Sequence, residues 1–235
     1  MSELFQVGAL TAFLQGVYES AVNFKTLAKK GNFGLGVMNA LGGEMVALDG
    51  NFYKISSDGA AQIVSPDDCT PFALVSDFKE DFAFEINHVL DIASLNALLD
   101  SKLPTKNIFY MIRIDAELSW IKLRSEDCQT PPHQPLAEIL PTIQHTFELA
   151  PSSGTLVGSY CPAYSAAITI PGFHYHYINK ARKIGGHVFD LAITSARVMI
   201  SSIREFHMLL PNTPEFDKAL LNSNIDITSA LKKIE

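Results

Sequence analysis

The sequence is poor in charge and in cysteine. Of its 235 residues, 18% are charged and 47% are hydrophobic, a balance that excludes an intrinsically disordered chain. The formal net charge is −7, whereas a nucleic-acid-binding face needs an excess of basic residues. We therefore expect no nucleic-acid partner. Cys69, Cys128 and Cys161 do not have the spacing of a cysteine metal motif, and we predict reduced, unpaired thiols.

Long apolar runs are also missing. No stretch of about 18 apolar residues occurs, so no membrane-spanning segment is predicted. Residues 1–6, MSELFQ, carry an acidic side chain and no basic group ahead of an apolar run, which argues against a secretory signal peptide. We therefore expect a cytoplasmic globular protein with no membrane partner.

Three of the seven histidines fall within fourteen residues. Residues 172–177 read GFHYHY, and residues 185–190 read GGHVFD after a polar, basic turn. In a strand, His174 and His176 point to the same face because side chains alternate. A hairpin between the two segments returns His187 beside them. The spacing predicts a three-histidine metal site with open positions for water or a substrate.

The histidine spacing leaves other interpretations open. Two strand histidines two positions apart are also typical of a solvent-facing pair. The same spacing occurs in cupin barrels, where a metal oxygenase or isomerase would use iron(II) or manganese. A metal-stabilised binding module is a third possibility, and it requires a closed fourth ligand and no activity.

Short apolar runs and turn signals organise the rest of the chain. Apolar periodicity predicts helices over residues 10–18, 24–30, 92–103 and 211–221, and strands over 33–40, 44–48, 51–55, 71–78, 83–88, 108–114, 142–149 and 192–205. A tight turn is expected at residues 115–117. The proline-rich segment 128–141 is expected to be a surface connection or a link between two sheet layers.

Eight short segments complete the pattern around the histidines. They are GNFGLG (31–36), NALGGE (39–44), LDG (48–50), TPFA (70–73), NIFY (107–110), GTLVG (154–158), PGFHYH (171–176) and GGHV (185–188). In this order they resemble the acetolactate decarboxylase family along nearly the full chain. The resemblance implies a Zn²⁺ ion held by His174, His176 and His187, and decarboxylation of 2-acetolactate to acetoin.

The resemblance also implies roles for residues outside the histidine block. Glu44 and Glu235 match two glutamates that lie near the metal, and the roles of metal ligand and proton donor both stay open for them. Arg124 matches the active-site arginine, although by its position alone it is an ordinary strand arginine. Val37 stands where relatives often carry threonine, so a hydroxyl group is missing there.

The substrate's chemistry suits such a site. The hydroxyl and ketone oxygens of 2-acetolactate chelate one cation, and loss of carbon dioxide leaves an enediolate whose charge lies on the same oxygens. Stereoselective protonation then gives acetoin. We expect a single catalytic unit with an α+β fold of two β-sheet subdomains, mixed and antiparallel, with short helices. Their bounds are about 5–130 and 131–235, with the metal hairpin at the interface, and the family implies a homodimer.

Overall fold

The computed structural model describes residues 2–221 and residue 227. The described strands are β1 (Ser2–Val7), β2 (Phe33–Val37), β3 (Glu44–Leu48), β4 (Asn51–Ile55), β5 (Ala61–Ile63), β6 (Phe72–Ser76), β7 (Phe82–Val89), β8 (Phe109–Glu126), β9 (Gln144–Leu149), β10 (Ser152–Cys161), β11 (Gly172–Asn179) and β12 (Gly185–Leu209). The helices are α1 (Leu10–Leu14), α2 (Phe24–Leu27), α3 (Ile92–Lys102), α4 (Leu136–Ile143) and α5 (Pro214–Lys218), with 3₁₀ turns at Asn39–Leu41 and Ala163–Ser165.

These strands form one continuous hydrogen-bonded sheet. Its order is β5-β4-β3-β2-β6-β1-β12-β11-β10-β8-β9, with β7 on β12 and a further β12–β8 pairing. The short β1 joins the two parts, because it pairs antiparallel with β6 and parallel with the end of β12. One large sheet with a few short helices confirms the predicted α+β class.

The N-terminal strands pack face to face on the strands that carry the histidines. Strands β2 and β3 contact β10 and β11. The core between them contains Leu35, Val37 and Val46 on one side and Val157 and Ile178 on the other, all buried. Each such side chain contributes about 1.5–3 kcal/mol when it is fully buried. This packing brings the start of β3 next to the histidine hairpin.

The predicted hairpin is present. His176 lies opposite His187 in the antiparallel β11–β12 ladder, and Ile178 lies opposite Gly185. The turn is closed by the Asn179 side chain, which accepts hydrogen bonds from the backbone N–H groups of residues 183 and 184. Gly186 permits close packing, since a Cβ there would lie 2.6 Å from the carbonyl oxygen of Arg124. The hairpin therefore lies directly against β8.

The predicted turn at residues 115–117 is wrong. Strand β8 runs through this segment without interruption and pairs with β10 and β12. Alternation persists there, because Ala116 faces the core while Asp115 faces the other side of the sheet. The Asp115 carboxylate accepts hydrogen bonds from Arg113 and Thr155. Donors on β8 itself and on β10 thus satisfy the carboxylate of Asp115, whose polar character in the sequence is typical of a turn.

The proline-rich segment is more ordered than the sequence predicts. Its second half is helix α4, which continues to Ile143, so strand β9 begins two residues later than expected. Leu136, Leu140 and Ile143 are buried at helical spacing. Pro131, Pro132 and Pro135 precede the helix, and Pro141 lies within it.

Other boundaries differ by a few residues. Helix α1 ends at Leu14 rather than at residue 18, because Gly16 has a φ of +94° that does not continue a helix. Strand β8 lies before residue 130 in the chain but pairs with the C-terminal strands, which moves it out of the expected N-terminal subdomain. The three cysteines are unpaired. Among the described residues, no helix has the length and hydropathy needed to cross a membrane.

Candidate active site

The three predicted histidine ligands converge. His174 and His176 on β11 and His187 on β12 each offer a nitrogen, and these atoms all lie within 4.8 Å of one another. All three side chains are buried. His174 Nε2 lies 3.1 Å from His187 Nδ1. Buried imidazoles that face one another at this distance are suited to bind one cation.

A backbone contact orients His176 in the triad. His176 Nδ1 lies 2.8 Å from the carbonyl oxygen of Met45 and donates to it, since a carbonyl only accepts. The Nε2 atom of His176 therefore carries the lone pair that faces the site. Burial lowers the pKa of His187 well below its usual value, and the nearby Arg124 and His176 lower it further. A neutral His187 is the form that binds metal.

Glu44, the first residue of β3, lies next to the histidine triad. Its Oε2 lies 3.3 Å from His176 Nε2. Gly43 sets the entry to β3 with a φ of +122°, and a Cβ there would lie 2.2 Å from the carbonyl oxygen of Ile55. Ser125 Oγ accepts from the Glu44 N–H at 3.4 Å and donates to the Ile55 carbonyl at 2.8 Å. The glutamate is thus held by glycine geometry and by a hydroxyl from β8.

Arg124 is buried beside the triad, not exposed on a strand surface. It lies opposite His187 in the β8–β12 ladder. Its Nε is 3.8 Å from Glu44 Oε1, an ion-pair distance, and its guanidinium lies over the Phe189 ring at 5.0 Å. The guanidinium is held between a carboxylate and an aromatic face.

Sequence reasoning missed Glu126, which lines the same cavity. Its side chain is buried, with 3% of the residue exposed. Burial raises its pKa well above the usual carboxyl value, and the neighbouring Glu44 raises it further, against the opposing effect of Arg124. A signal was available, because Glu126 is two residues after Arg124 on one strand and so faces the same side.

Apolar side chains also line the cavity. We call six of them the apolar wall: Leu10, Phe13, Phe72, Leu136, Leu140 and Ile170. The ring of Phe13 on α1 stacks on that of Phe72 at 5.4 Å. The polar residues of the lining, here called the polar wall, are Glu44, Arg124, Glu126, His174, His176 and His187. The cavity measures about 60 Å³.

Comparisons with known proteins agree with this geometry. The family profile described as alpha-acetolactate decarboxylase matches residues 4–223. The chain belongs to the alpha-acetolactate decarboxylase family. The Methanosarcina mazei alpha-acetolactate decarboxylase is 38% identical over 99% of this chain and 80% of its own. The Bacillus subtilis enzyme is 35% identical over 100% and 90%.

A solved structure of a family member has the same fold. The crystal structure of the Bacillus subtilis alpha-acetolactate decarboxylase superposes with a TM-score of 0.95 at 34% identity, covering 99% of both chains. The chain is accordingly an enzyme of the carboxy-lyase class. Its buried triad is a site that could hold the metal ion that the resemblance implies.

Glu235 and Val37 are the two remaining residues that the sequence-based predictions singled out. Glu235 lies outside the described residues. Val37 is opposite Glu44 in the β2–β3 ladder and lines the cavity, so the site has an alkyl group at that position. The Val37 carbonyl oxygen accepts a hydrogen bond from Thr70 Oγ1 at 2.7 Å, which fixes the strand without a hydroxyl from residue 37 itself.

Proposed function

We propose that this acetolactate decarboxylase converts 2-acetolactate to acetoin and carbon dioxide through an enediolate, with Zn²⁺ as its metal. The observation that carries the proposal is the buried triad His174, His176 and His187, with Glu44 and Arg124 on its border. Neutral imidazoles are common zinc ligands, and a set of three leaves positions open. A bound zinc ion supplies Lewis acidity for the substrate's hydroxyl and ketone oxygens.

Arg124 is the group for the substrate's carboxylate. Its guanidinium is always charged and has a planar fork that matches a carboxylate. Burial strengthens the interaction because little water screens it. As the bond to the carboxylate carbon breaks, its electron pair moves toward the ketone, and carbon dioxide leaves. Arg124 orients the leaving carboxylate or stabilises the enediolate.

Glu44 is the proton donor in this proposal and not a metal ligand. It lies between Arg124 and His176, so its carboxyl borders both the carboxylate position and the metal position. The enediolate carbon needs one proton to become acetoin. In this proposal the apolar residues that line the cavity shield one face of the enediolate, so that protonation from Glu44 is stereoselective. Glu235 stays a second candidate from the resemblance alone.

The first test measures product and metal together. Racemic 2-acetolactate is supplied to the wild type, to His176→Ala and to His145→Ala, and carbon dioxide, acetoin enantiomers and bound metal are quantified. His145 is a matched control because it is exposed and pairs with Asp127. We expect one acetoin enantiomer from the wild type, and loss of both zinc and activity only in His176→Ala. Triad-bound zinc without product above the spontaneous rate would overturn the reaction.

Three expectations on organisation accompany this function. We propose that the chain acts as a single catalytic unit, that it forms a homodimer and that it works in the cytoplasm. Light scattering on a sizing column measures the mass of the assembly against the 25.8 kDa chain. Cell fractionation with a tagged chain tests the location. A monomeric mass or a signal outside the cytoplasmic fraction contradicts the corresponding expectation.

A further inference from the structure

Phe189 is a large aromatic residue that lies outside the apolar cores formed by the described residues. It is half-buried, and it belongs neither to the three clusters of buried hydrophobic side chains nor to the apolar residues packed against them. It does not line the cavity either. An aromatic side chain usually contributes through its burial in a core. The position of Phe189 therefore requires another explanation.

An irregularity in β12 places Phe189 beside the site. In the β8–β12 ladder the pairing passes from Val188 directly to Asp190, so Phe189 is an extra residue without a partner on β8. A β-bulge of this kind re-aims a side chain and is common next to active sites. The bulge comes two residues after the ladder pair of His187 and Arg124. The strand thus departs from regular pairing at the residue that is nearest to this pair on the cavity side.

The Phe189 ring contacts two polar groups of the site. The guanidinium carbon of Arg124 lies 5.0 Å from the ring centroid. The imidazole of His187 meets the same ring in a T-shaped arrangement, with 5.8 Å between the centroids. The face of an aromatic ring attracts a guanidinium within about 6 Å, and the attraction is stronger when little water surrounds the cation. Since Arg124 is buried, the ring favours one position of its guanidinium.

The distance between Arg124 and Glu44 shows why a second contact matters. Nε of Arg124 is 3.8 Å from Oε1 of Glu44. A charge-assisted hydrogen bond between such groups is roughly 2.7–2.9 Å long, and burial strengthens the attraction that would close the gap. A guanidinium fork that is fully paired with Glu44 cannot also receive the carboxylate of a substrate. Attraction to the Phe189 ring favours the more open arrangement that a substrate carboxylate requires.

We propose that Phe189 positions Arg124 for the carboxylate of the substrate. The inference rests on the proposed function, and it selects orientation of the leaving carboxylate as the role of Arg124. Phe189 does not line the cavity, so it acts through Arg124 and is a positioning residue. The carboxylate loses its charge as carbon dioxide forms, so an arginine that orients it binds the ground state at least as tightly as the transition state. Loss of the ring should therefore raise KM and leave kcat nearly unchanged.

Binding of an unreactive carboxylate tests this role without turnover. The probes are 2-hydroxy-2-methylpropanoate, which has the tertiary alcohol and the carboxylate of the substrate but no ketone, and the corresponding uncharged amide. Isothermal titration calorimetry measures the affinity of each probe for zinc-loaded wild type, Phe189→Leu, Phe189→Tyr and Phe84→Leu. Phe84 is a matched control because it is a half-buried phenylalanine away from the cavity, with Nζ of Lys102 5.9 Å from its ring centroid.

The two substitutions of Phe189 separate the aromatic face from the apolar bulk. Leucine keeps an apolar side chain without a ring, whereas tyrosine keeps the ring. We expect Phe189→Leu to bind the carboxylate about tenfold more weakly than wild type and the amide within about twofold. Phe189→Tyr and Phe84→Leu should bind both probes within about twofold of wild type.

Three results of the titrations would indicate that Phe189 has only a structural role and would overturn the proposal. They are equal weakening of both probes in Phe189→Leu, no weakening in Phe189→Leu, and no recovery in Phe189→Tyr. A wild type that binds the carboxylate no more tightly than the amide also overturns it, because Arg124 would then not recognise the charge.

Steady-state kinetics with 2-acetolactate provide the second measurement. For Phe189→Leu we expect KM to rise about tenfold, with kcat within about twofold of wild type and unchanged zinc content. Phe189→Tyr should restore KM, and Phe84→Leu should match wild type. A fall in kcat at constant KM, or a loss of zinc through the His187 contact, contradicts the proposal. If wild type makes no acetoin, the proposed function fails, while the titrations still decide whether Phe189 positions Arg124.

Discussion

The two walls of the cavity are built in different ways. The polar wall comes from β3, β8, β11 and β12, where backbone ladders fix the position of each side chain. The apolar wall takes Leu10 and Phe13 from α1 and Leu136 and Leu140 from α4, and both helices are short. Strand register thus sets the reactive geometry, whereas helix packing shapes the rest of the cavity lining.

The two walls also differ in the charge that their side chains carry. The polar wall concentrates a guanidinium, two carboxyl groups and three imidazoles. The apolar wall has no charge, and its contribution is to exclude water. Because a dry environment has a low effective dielectric constant, the apolar wall strengthens each interaction that the polar wall makes. Mutations on the polar wall should therefore change reactivity directly, and those on the apolar wall should act through packing and water.

The largest effect is expected from Arg124→Lys on the polar wall. Lysine keeps the charge but loses the planar fork that matches a carboxylate. We expect kcat/KM to fall on the order of 10²–10³-fold, with zinc content unchanged. Steady-state kinetics and metal analysis measure both.

Arg113→Lys is the matched control for this change. Arg113 is on the same strand, but it forms ion pairs with Asp49 and Asp115 away from the cavity. The same substitution there should leave kcat/KM within about twofold, as for most surface changes. Equal losses in both variants would show that strand integrity, and not the guanidinium at the site, determines the rate.

Gly43→Ala tests the backbone that supports the polar wall. Residue 43 has a φ of +122°, and the added Cβ would meet the Ile55 carbonyl oxygen at 2.2 Å. We expect the free energy of unfolding to fall by about 2–4 kcal/mol. Gly50→Ala is the control, since Gly50 also has a positive φ but nothing lies within 4 Å. Its cost should be about 1 kcal/mol, and equal losses in denaturant melts would mean that the close contact is not limiting.

The polar wall could largely be predicted from sequence, because strand alternation is a local rule. His174 and His176 share a face for this reason, and the glycines before His187 signal the hairpin. The same rule applied to Arg124 would have found Glu126. What the rule does not provide is the raised pKa of Glu126, which comes first from its burial in the folded chain and then from Glu44 of the distant β3.

The apolar wall was harder to predict. The spacing of Leu136, Leu140 and Ile143 is helical, but three prolines precede the helix and a fourth lies within it, and this proline content favours a connection. Which strands pair is also a non-local property. The segment 115–117 has turn-like polar residues, and only contacts with Arg113 and Thr155 show why it stays extended. Tertiary contacts thus overrode local preference in both places.

Leu140→Ala tests whether the apolar wall affects catalysis. Leu140 is buried on α4 and lines the cavity, whereas Leu99 on α3 is buried in a different core. Both leucine-to-alanine changes should lower the free energy of unfolding by about 2–5 kcal/mol. Only Leu140→Ala should also lower kcat/KM, by about tenfold, because water enters beside the reacting groups. Comparable activity losses at a temperature where both are folded would remove this role for the wall.

The smallest expected effect is a change in the way that the free energy of unfolding depends on pH. The pKa of Glu126 is raised in the folded chain, so above the ordinary value of 4.5 the folded state keeps a proton that the unfolded state has lost. The free energy of unfolding should therefore fall as the pH rises from that value toward the folded pKa, by at most about 1.4 kcal/mol per pH unit. Glu126→Gln lacks this titration and should show a flatter curve, more stable than wild type at neutral pH. Denaturant melts at several values between about pH 5 and pH 8 measure how the free energy of unfolding changes with pH in wild type and in Glu126→Gln. Parallel curves would mean that Glu126 is ionised in the fold, and the polar wall would then hold two carboxylates next to one guanidinium.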